Sequence, residues 1–295
     1  MEEIRYTSLC QLAELAEREE TRISDIVLRQ QAAESGRSRD ELLEGMRLRY
    51  AVMRESAAEG CRCGDLSSSG LSGGDAVRMR KHAERTASLL GAGGRKVLMR
   101  ALAVSEQNAR MGRICAAPTA GAAGILPAVL LSAEEEFEIP EMQILESMFT
   151  ASAIGMVIAT VSSVSGAMGG CQAECGSASA MAAGALTELM EGSPRQVLHA
   201  VSFAIKSVLG LVCDPVAGLV EVPCVKRNGI LAVEALAAAE MALAGIESRI
   251  PADEVVEAMK AVGDMIPGAL RETAAGGLAA TRTAAGYKEK NLWQG

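Results

Sequence analysis

Three cysteines in the second half of the chain stand in turns punctuated by glycine or proline. They are Cys171 in Met168-Gly169-Gly170-Cys171-Gln172-Ala173-Glu174-Cys175-Gly176, Cys213 in Cys213-Asp214-Pro215, and Cys224 in Pro223-Cys224. Each turn adjoins an apolar, helix-like run, which is how a helical protein can bring separated thiolates to one metal. Three thiolates without a histidine or a CxxC pair do not make a closed zinc site, which uses four ligands. They suit a four-iron cluster lacking its customary fourth cysteine, which leaves one iron open to substrate. Cys175 lies four residues after Cys171 and can replace it or complete the set, so spacing alone leaves the ligands open. Cys61 and Cys63, in Gly60-Cys61-Arg62-Cys63-Gly64, have no partner pair and match a structural zinc site poorly.

Two stretches have the chemistry to hold a small polar ligand. Ser67-Ser68-Ser69-Gly70-Leu71-Ser72-Gly73-Gly74-Asp75 is crowded with glycines and hydroxyls, and serves either as a linker or as a cradle for an anion or substrate. It lacks the GK[ST] ending of a nucleotide loop. In Cys115-Ala116-Ala117-Pro118-Thr119-Ala120-Gly121-Ala122-Ala123-Gly124-Ile125-Leu126-Pro127, small residues flank Thr119 and the following apolar run begins a helix. The unpaired N–H groups of a helix start suit a carboxylate. A tight crossing of two helices needs the same small residues, and composition does not separate the two readings. Of the two histidines, His82 lies on a basic face with Arg78, Arg80, Lys81 and Arg85, and His199 lies in an apolar helix. A Ser-His-Asp or Cys-His dyad therefore has little support. Nor do Lys226 and the serine loop demand a pyridoxal enzyme, which needs a Schiff-base lysine and a phosphate cup.

The elements that must position these residues read as helices throughout. Ser8-Leu9-Cys10-Gln11 fits a capping box, Ser24 is placed to cap a second helix ended by Gly36, and Ser38-Arg39-Asp40-Glu41 is another box. Residues 1–60 thus read as a helical lead-in to a catalytic unit over 61–295, the two expected to fold together. Helices over 81–90 and 96–111 are expected on either side of a break at Gly91, Gly93 and Gly94, followed by an acidic surface loop over 134–138. Further starts are read near Pro140, at Ser193-Pro194-Arg195-Gln196, at Lys226-Arg227-Asn228-Gly229 and at Pro251. No segment alternates at period two, so the fold class is all-α, a single large helical domain. With aromatic residues at only 2%, its core must be packed by Ala, Gly, Ser and Met, which let helix backbones approach closely.

Composition narrows the partners. An apolar content of 49% supplies a sizeable core, and a net charge of −8 argues against nucleic acid, which needs a concentrated basic face. The start Met1-Glu2-Glu3-Ile4-Arg5 lacks the apolar core of a signal peptide, so the eight cysteines are expected in the reducing cytoplasm rather than in disulfides. Uncharged runs over 147–173 and 114–133 are long enough to cross a bilayer. Hydroxyls at Ser152, Thr160, Ser162, Ser163 and Ser165 dilute the first; Pro118, Gly121, Gly124 and Pro127 break the second; neither has aromatic or basic flanks. A buried central helix, and no membrane, is the expectation.

Asn108-Ala109-Arg110-Met111-Gly112, Ala117-Pro118-Thr119-Ala120-Gly121, Gly170-Cys171-Gln172-Ala173-Glu174, Cys213-Asp214-Pro215-Val216-Ala217-Gly218 and Val222-Pro223-Cys224 together resemble the alpha chain of iron–sulfur-dependent L-serine dehydratase. So do Ser69-Gly70-Leu71-Ser72-Gly73-Gly74-Asp75, Glu34-Ser35-Gly36-Arg37-Ser38 and the tail over 272–281, and the likeness runs over nearly the whole chain. It implies an all-α catalytic subunit holding a [4Fe–4S] cluster through Cys171, Cys213 and Cys224, with Cys175 a bystander. The family often fuses this unit to a regulatory-type domain; here a separate beta chain is expected as partner, together with oligomerisation, and the catalytic base is expected from that partner. Some single-chain relatives end in a cysteine that reaches the cluster, whereas this chain ends Asn291-Leu292-Trp293-Gln294-Gly295, so that feature is not expected.

On this resemblance the open iron acts as a Lewis acid on the hydroxyl of L-serine. Backbone at Pro118, Thr119, Ala120 and Gly121, with Asn108, Ser69, Ser72 and Asp75, holds the substrate's carboxylate and ammonium, and the products are pyruvate and ammonia. Two other readings are discriminated by experiment. A noncatalytic helical binding or membrane-associated protein with buried cysteines stays colourless after anaerobic reconstitution, and a related lyase for another small amino acid prefers threonine or cysteine.

Overall fold

A chain with so few aromatic side chains can build a core only by bringing helix backbones together. The computed structural model describes residues 6–289, so Met1-Glu2-Glu3 and the 291–295 tail lie outside it. Among the described residues the chain makes thirteen α-helices and no strand, so the all-α expectation holds. They are α1 (Leu9–Arg18), α2 (Ile23–Ser35), α3 (Arg39–Arg62), α4 (Asp75–Ala83), α5 (Gly91–Ala109), α6 (Ile125–Glu136) and α7 (Glu141–Val161). After them come α8 (Gly166–Gly169), α9 (Ser177–Leu189), α10 (Pro194–Ser207), α11 (Cys224–Leu243), α12 (Ala252–Met265) and α13 (Arg282–Glu289).

Local capping explains several starts. Ser38 and Ser193 form complete capping boxes with Glu41 and Gln196 at the heads of α3 and α10. At α1 only half a box forms: Ser8 accepts from the Gln11 amide, but the Gln11 side chain turns to the Thr7 amide. Ser24 does not cap α2. It sits inside the first turn, buried, and its amide donates to Glu188 of α9 at 3.2 Å.

Tertiary pairing overrides propensity elsewhere. Gly91, Gly93 and Gly94 do not break the chain but form the first turn of α5. Lys96 and Arg100 of α5 pair with Glu135, and docking α5 on α6 offsets the glycines' entropic cost. The expected acidic loop is helical as far as Glu136, where α6 ends, and only Phe137 and Glu138 form a turn; Glu134 accepts from Tyr50 Oη at 2.8 Å. Similarly, α11 begins at Cys224, two residues before the expected start.

Every residue of α9 is buried, and α7, α10, α11 and α6 pack around it. A Cβ on Gly184 would lie 2.4 Å from Ile154 Cδ1 of α7 and 3.2 Å from Val201 Cγ2 of α10, so glycine sets how closely these helices approach. Helix α7 is long and apolar enough to cross a membrane, and 67% of its apolar window is buried inside the protein. The lead-in shares this core. Leu9, Leu12 and Ala16 are wholly buried, and the Leu9 and Cys10 amides donate to the Asp253 carboxylate of α12 at 2.7 and 3.0 Å.

Candidate active site

Cys171, Cys213 and Cys224 come from three separate segments, are buried, and carry no disulfide. Cys171 follows Gly170, whose φ of 77° turns the chain, and opens a π-helical turn over Gln172–Gly176. A π-turn inserts one residue into a helical run and re-aims its side chains. Gln172 fastens this turn: its side chain donates to Met259 O at 2.8 Å and accepts from the Gly210 amide at 2.9 Å. Cys213 lies in an extended segment bridged to the tail, its amide donating to Leu270 O at 2.9 Å and its carbonyl accepting from the Glu272 amide at 2.7 Å. Cys224 is the first residue of α11.

The three thiols are electrostatic neighbours. Burial pushes the Cys213 thiol far above its ordinary value, reinforced by charge on Cys171, on Glu174 and on Cys224. Burial and the charge of Cys171 push Cys224 up to about 12. Cys171 moves the other way. A hydrogen bond from Cys175 lowers it against burial, assisted by the Arg227 guanidinium, while Cys175 is raised by the same hydrogen bond and its own burial. Arg227 also donates to Val212 O at 2.8 Å and to Asp214 Oδ1 at 2.9 Å, and Asp214 Oδ2 accepts from the Leu278 amide at 2.7 Å. One cation thus serves Cys171 and ties down the segment that carries Cys213.

Glu174 completes the wall. Thr119 Oγ1 donates to its Oε1 at 2.5 Å, and a Cβ on Gly166 would lie 2.8 Å from Cys213 Sγ and 3.4 Å from both Glu174 Oε2 and Glu272 Oε2. Burial raises the Glu174 carboxyl, with Thr119 opposing and Glu272 adding to the rise. Cys171, Glu174 and Cys175 offer ligand atoms within 4.8 Å of one another. Cys213 and Cys224 are not part of that group.

The residues expected to hold substrate divide. Thr119 reaches this wall, and Asn228, fully buried on α11, fixes its turn by donating to Gly121 O at 2.7 Å and accepting from the Gly124 amide at 3.0 Å. The amides of Ala122 and Ala123 are taken within the turn, while those of Ala120 and Gly121 donate to no atom of the described residues. Pro118 and Asn108 are both half-buried. Ser69 and Ser72 donate instead to the Glu221 carboxylate. Asp75 pairs with Lys226 at 2.6 Å and with Arg78; although burial alone would raise its carboxyl, these cations hold it below the ordinary value. The amides of Asp75 and Ala76, which open α4, donate to Glu106 at 2.6 and 3.4 Å, so that helix start already holds an anion.

Glu174, Asp214, Arg227 and Asn228 stand in stretches quoted above but were given no role there. Nothing in the sequence singles out Glu221 or Glu106, whose partners lie far away in the chain.

The family model for the serine dehydratase alpha chain matches residues 18–279. The chain is 45% identical to the probable L-serine dehydratase alpha chain of Bacillus subtilis (strain 168), over 97% of this chain and 95% of that protein. It is 43% identical to the L-serine dehydratase alpha chain of Peptoniphilus asaccharolyticus, over 93% and 94%. A longer relative, the L-serine dehydratase of Streptomyces coelicolor, is 39% identical over 88% of this chain and 58% of its own length.

Proposed function

The chain belongs to the serine dehydratase alpha chain family, and on that premise we propose that it is the catalytic subunit of an L-serine dehydratase. In this reading it works with a separate beta chain in the cytoplasm, where its thiols stay reduced, and converts L-serine to pyruvate and ammonia.

The observation that carries the reading is that Cys171, Cys213 and Cys224 are buried, unbridged and electrostatic neighbours, with the Arg227 guanidinium beside Cys171. Soft thiolates without histidine favour an iron–sulfur cluster, and the donor set fits one: Cys171, Cys213 and Cys224 would hold a [4Fe–4S] cluster. Buried thiolates carry negative charge that Arg227 partly offsets. Bound there, the cluster supplies Lewis-acid polarisation of the hydroxyl that leaves as water.

The chain's own residues orient the substrate. The free amides of Ala120 and Gly121 and the Thr119 hydroxyl suit its carboxylate, at a turn kept in place by Asn228. Glu174 and Glu272 give the same wall a negative side that suits the ammonium. The base that takes the Cα proton is assigned to the beta chain. Loss of that proton and of water leaves an aminoacrylate, which hydrolyses to pyruvate and ammonia.

Anaerobic reconstitution tests the reading. Brown protein with about four irons per chain, forming pyruvate from L-serine once the beta chain is added, is the expected result. Protein that stays colourless and iron-free would overturn it.

A further inference from the structure

The serine loop encloses a carboxylate supplied by the protein itself. Ser67 Oγ and Ser72 Oγ donate to Glu221 Oε2, both at 2.5 Å, and Ser69 Oγ donates to Oε1 at 2.8 Å. Glu221, Ser67 and Ser72 are each 5% exposed or less, so the carboxylate depends on these hydroxyls in place of water. The loop is rigid where it does this. Ser67 N donates to Ser72 O at 2.9 Å, and the Leu71 amide donates to Ser69 Oγ at 3.0 Å.

Glu221 stands in the turn that delivers Cys224. Its amide donates to Leu219 O at 2.7 Å, and its carbonyl accepts from the Val225 amide at 3.0 Å in the opening of α11. The same loop grips that opening a second time, through Asp75 and Lys226 at 2.6 Å. Cys224 therefore lies between two anchors, Glu221 before it and Lys226 after it, both held by residues 67–75.

We infer that the serine loop is a clamp on Cys224, with Glu221 as its positioning residue. The loop then governs the hold on a metal rather than the hold on the substrate's carboxylate. Its bearing on catalysis rests on the reading of Cys224 as a cluster ligand, but the clamp is also testable without metal. A carboxylate with three hydroxyl donors fixes a turn in a way that a neutral side chain does not, because hydrogen bonds to a charged acceptor are about twice as strong as neutral ones.

The test compares wild type with Glu221→Ala, Glu221→Gln and Ser69→Ala, the last removing one half-exposed hydroxyl so that folding is preserved. Glu188→Gln, at another buried carboxylate held by Ser24 and Thr150, is the control for general destabilisation. In metal-free protein, alkylation of each cysteine by a maleimide is followed by peptide mass spectrometry. In the reconstituted protein with its beta chain, iron release to a ferrous chelator is followed at the visible band, and KM and kcat for L-serine are measured.

Glu221→Ala is expected to speed both Cys224 alkylation and iron release by about 10–100-fold, the usual cost of losing a partner behind a metal ligand. Glu221→Gln, which keeps one acceptor oxygen, should recover part of this. Ser69→Ala should move the same rates in the same direction and leave KM unchanged. The control should lower the melting temperature without selective effect on Cys224. Unchanged alkylation and iron release in Glu221→Ala overturns the clamp, as does Ser69→Ala raising KM alone. Wild type that takes up no iron sinks the cluster reading, while the alkylation rates still decide the clamp.

Discussion

Arg227 and Asp214 are joined by an ion pair of 2.9 Å that ties the first turn of α11, which begins at Cys224, to the segment carrying Cys213. Their side chains are 17% and 4% exposed, and the guanidinium makes a second bond to Val212 O. Two cysteine-bearing segments thus share one fastening.

Breaking that pair should be costly. Arg227→Met leaves Asp214 buried with only the Leu278 amide, and a buried charge stripped of its partner costs about 3–5 kcal/mol. Denaturant titration of metal-free protein should show a loss of that order. Arg227→Lys should recover little, because an ammonium lacks the planar fork that serves Val212 and Asp214 together.

Cys171 and Cys175 are separated by function in the proposed reading. Cys171→Ser should abolish both the visible absorbance and serine turnover. Cys175→Ala should keep iron and most activity, with stability lowered by about 1 kcal/mol for the lost buried sulfur. Iron content of the two variants, prepared side by side, checks this. Loss of iron from Cys175→Ala would place Cys175 among the ligands.

A methyl at Gly166 should act on the proposed metal site more than on the fold. The added carbon would fall 2.8 Å from Cys213 Sγ, inside the space between that thiol, Glu174 and Glu272. Gly166→Ala is expected to retain the helical circular-dichroism spectrum of wild type while failing to bind iron.

Thr119→Val should raise KM for L-serine by about tenfold, since a hydrogen bond to a charged group contributes about 1.5–3 kcal/mol. The hydroxyl that now holds Glu174 is assigned to substrate, so kcat should fall less than kcat/KM. Steady-state kinetics with the beta chain present decide it.

Glu234 gives the protein a pH dependence away from the thiols. Burial raises its carboxyl from 4.5 to about 7, opposed by the Ser179 and Ser207 hydroxyls. Between those values the folded protein keeps a proton that the unfolded chain has released, so this group's contribution falls as pH rises through the window and levels off above it. Glu234→Gln should therefore be more stable than wild type by about 1–2 kcal/mol at pH 8, allowing for partial solvation, and the gain should vanish towards pH 4.5. Denaturant midpoints across that range measure it.

Local signals in the sequence fared best. The boxes at Ser38 and Ser193 depend on residues three positions apart, and those helices begin where they were expected. Ser24 and the glycines of α5 misled because their conformations are decided by Glu188 and by the docking of α5 on α6. The thiols stand out by type and by the turns around them, whereas what supports them does not. Glu221 meets its serines across 149 to 154 residues, and an isolated glutamate in an apolar stretch gives no hint of such a partner. The serine loop illustrates the ambiguity: clustered hydroxyls read equally as a linker or as a cradle, and do not tell whether an anion held there belongs to a ligand or to the protein.

The bridge between Cys213 and the tail has a consequence in time. All three thiols leave the ribosome before residues 270–278, which supply the partners of the Cys213 backbone and of Asp214. During synthesis the thiols are therefore present while the tail that bridges to the Cys213 backbone is still missing.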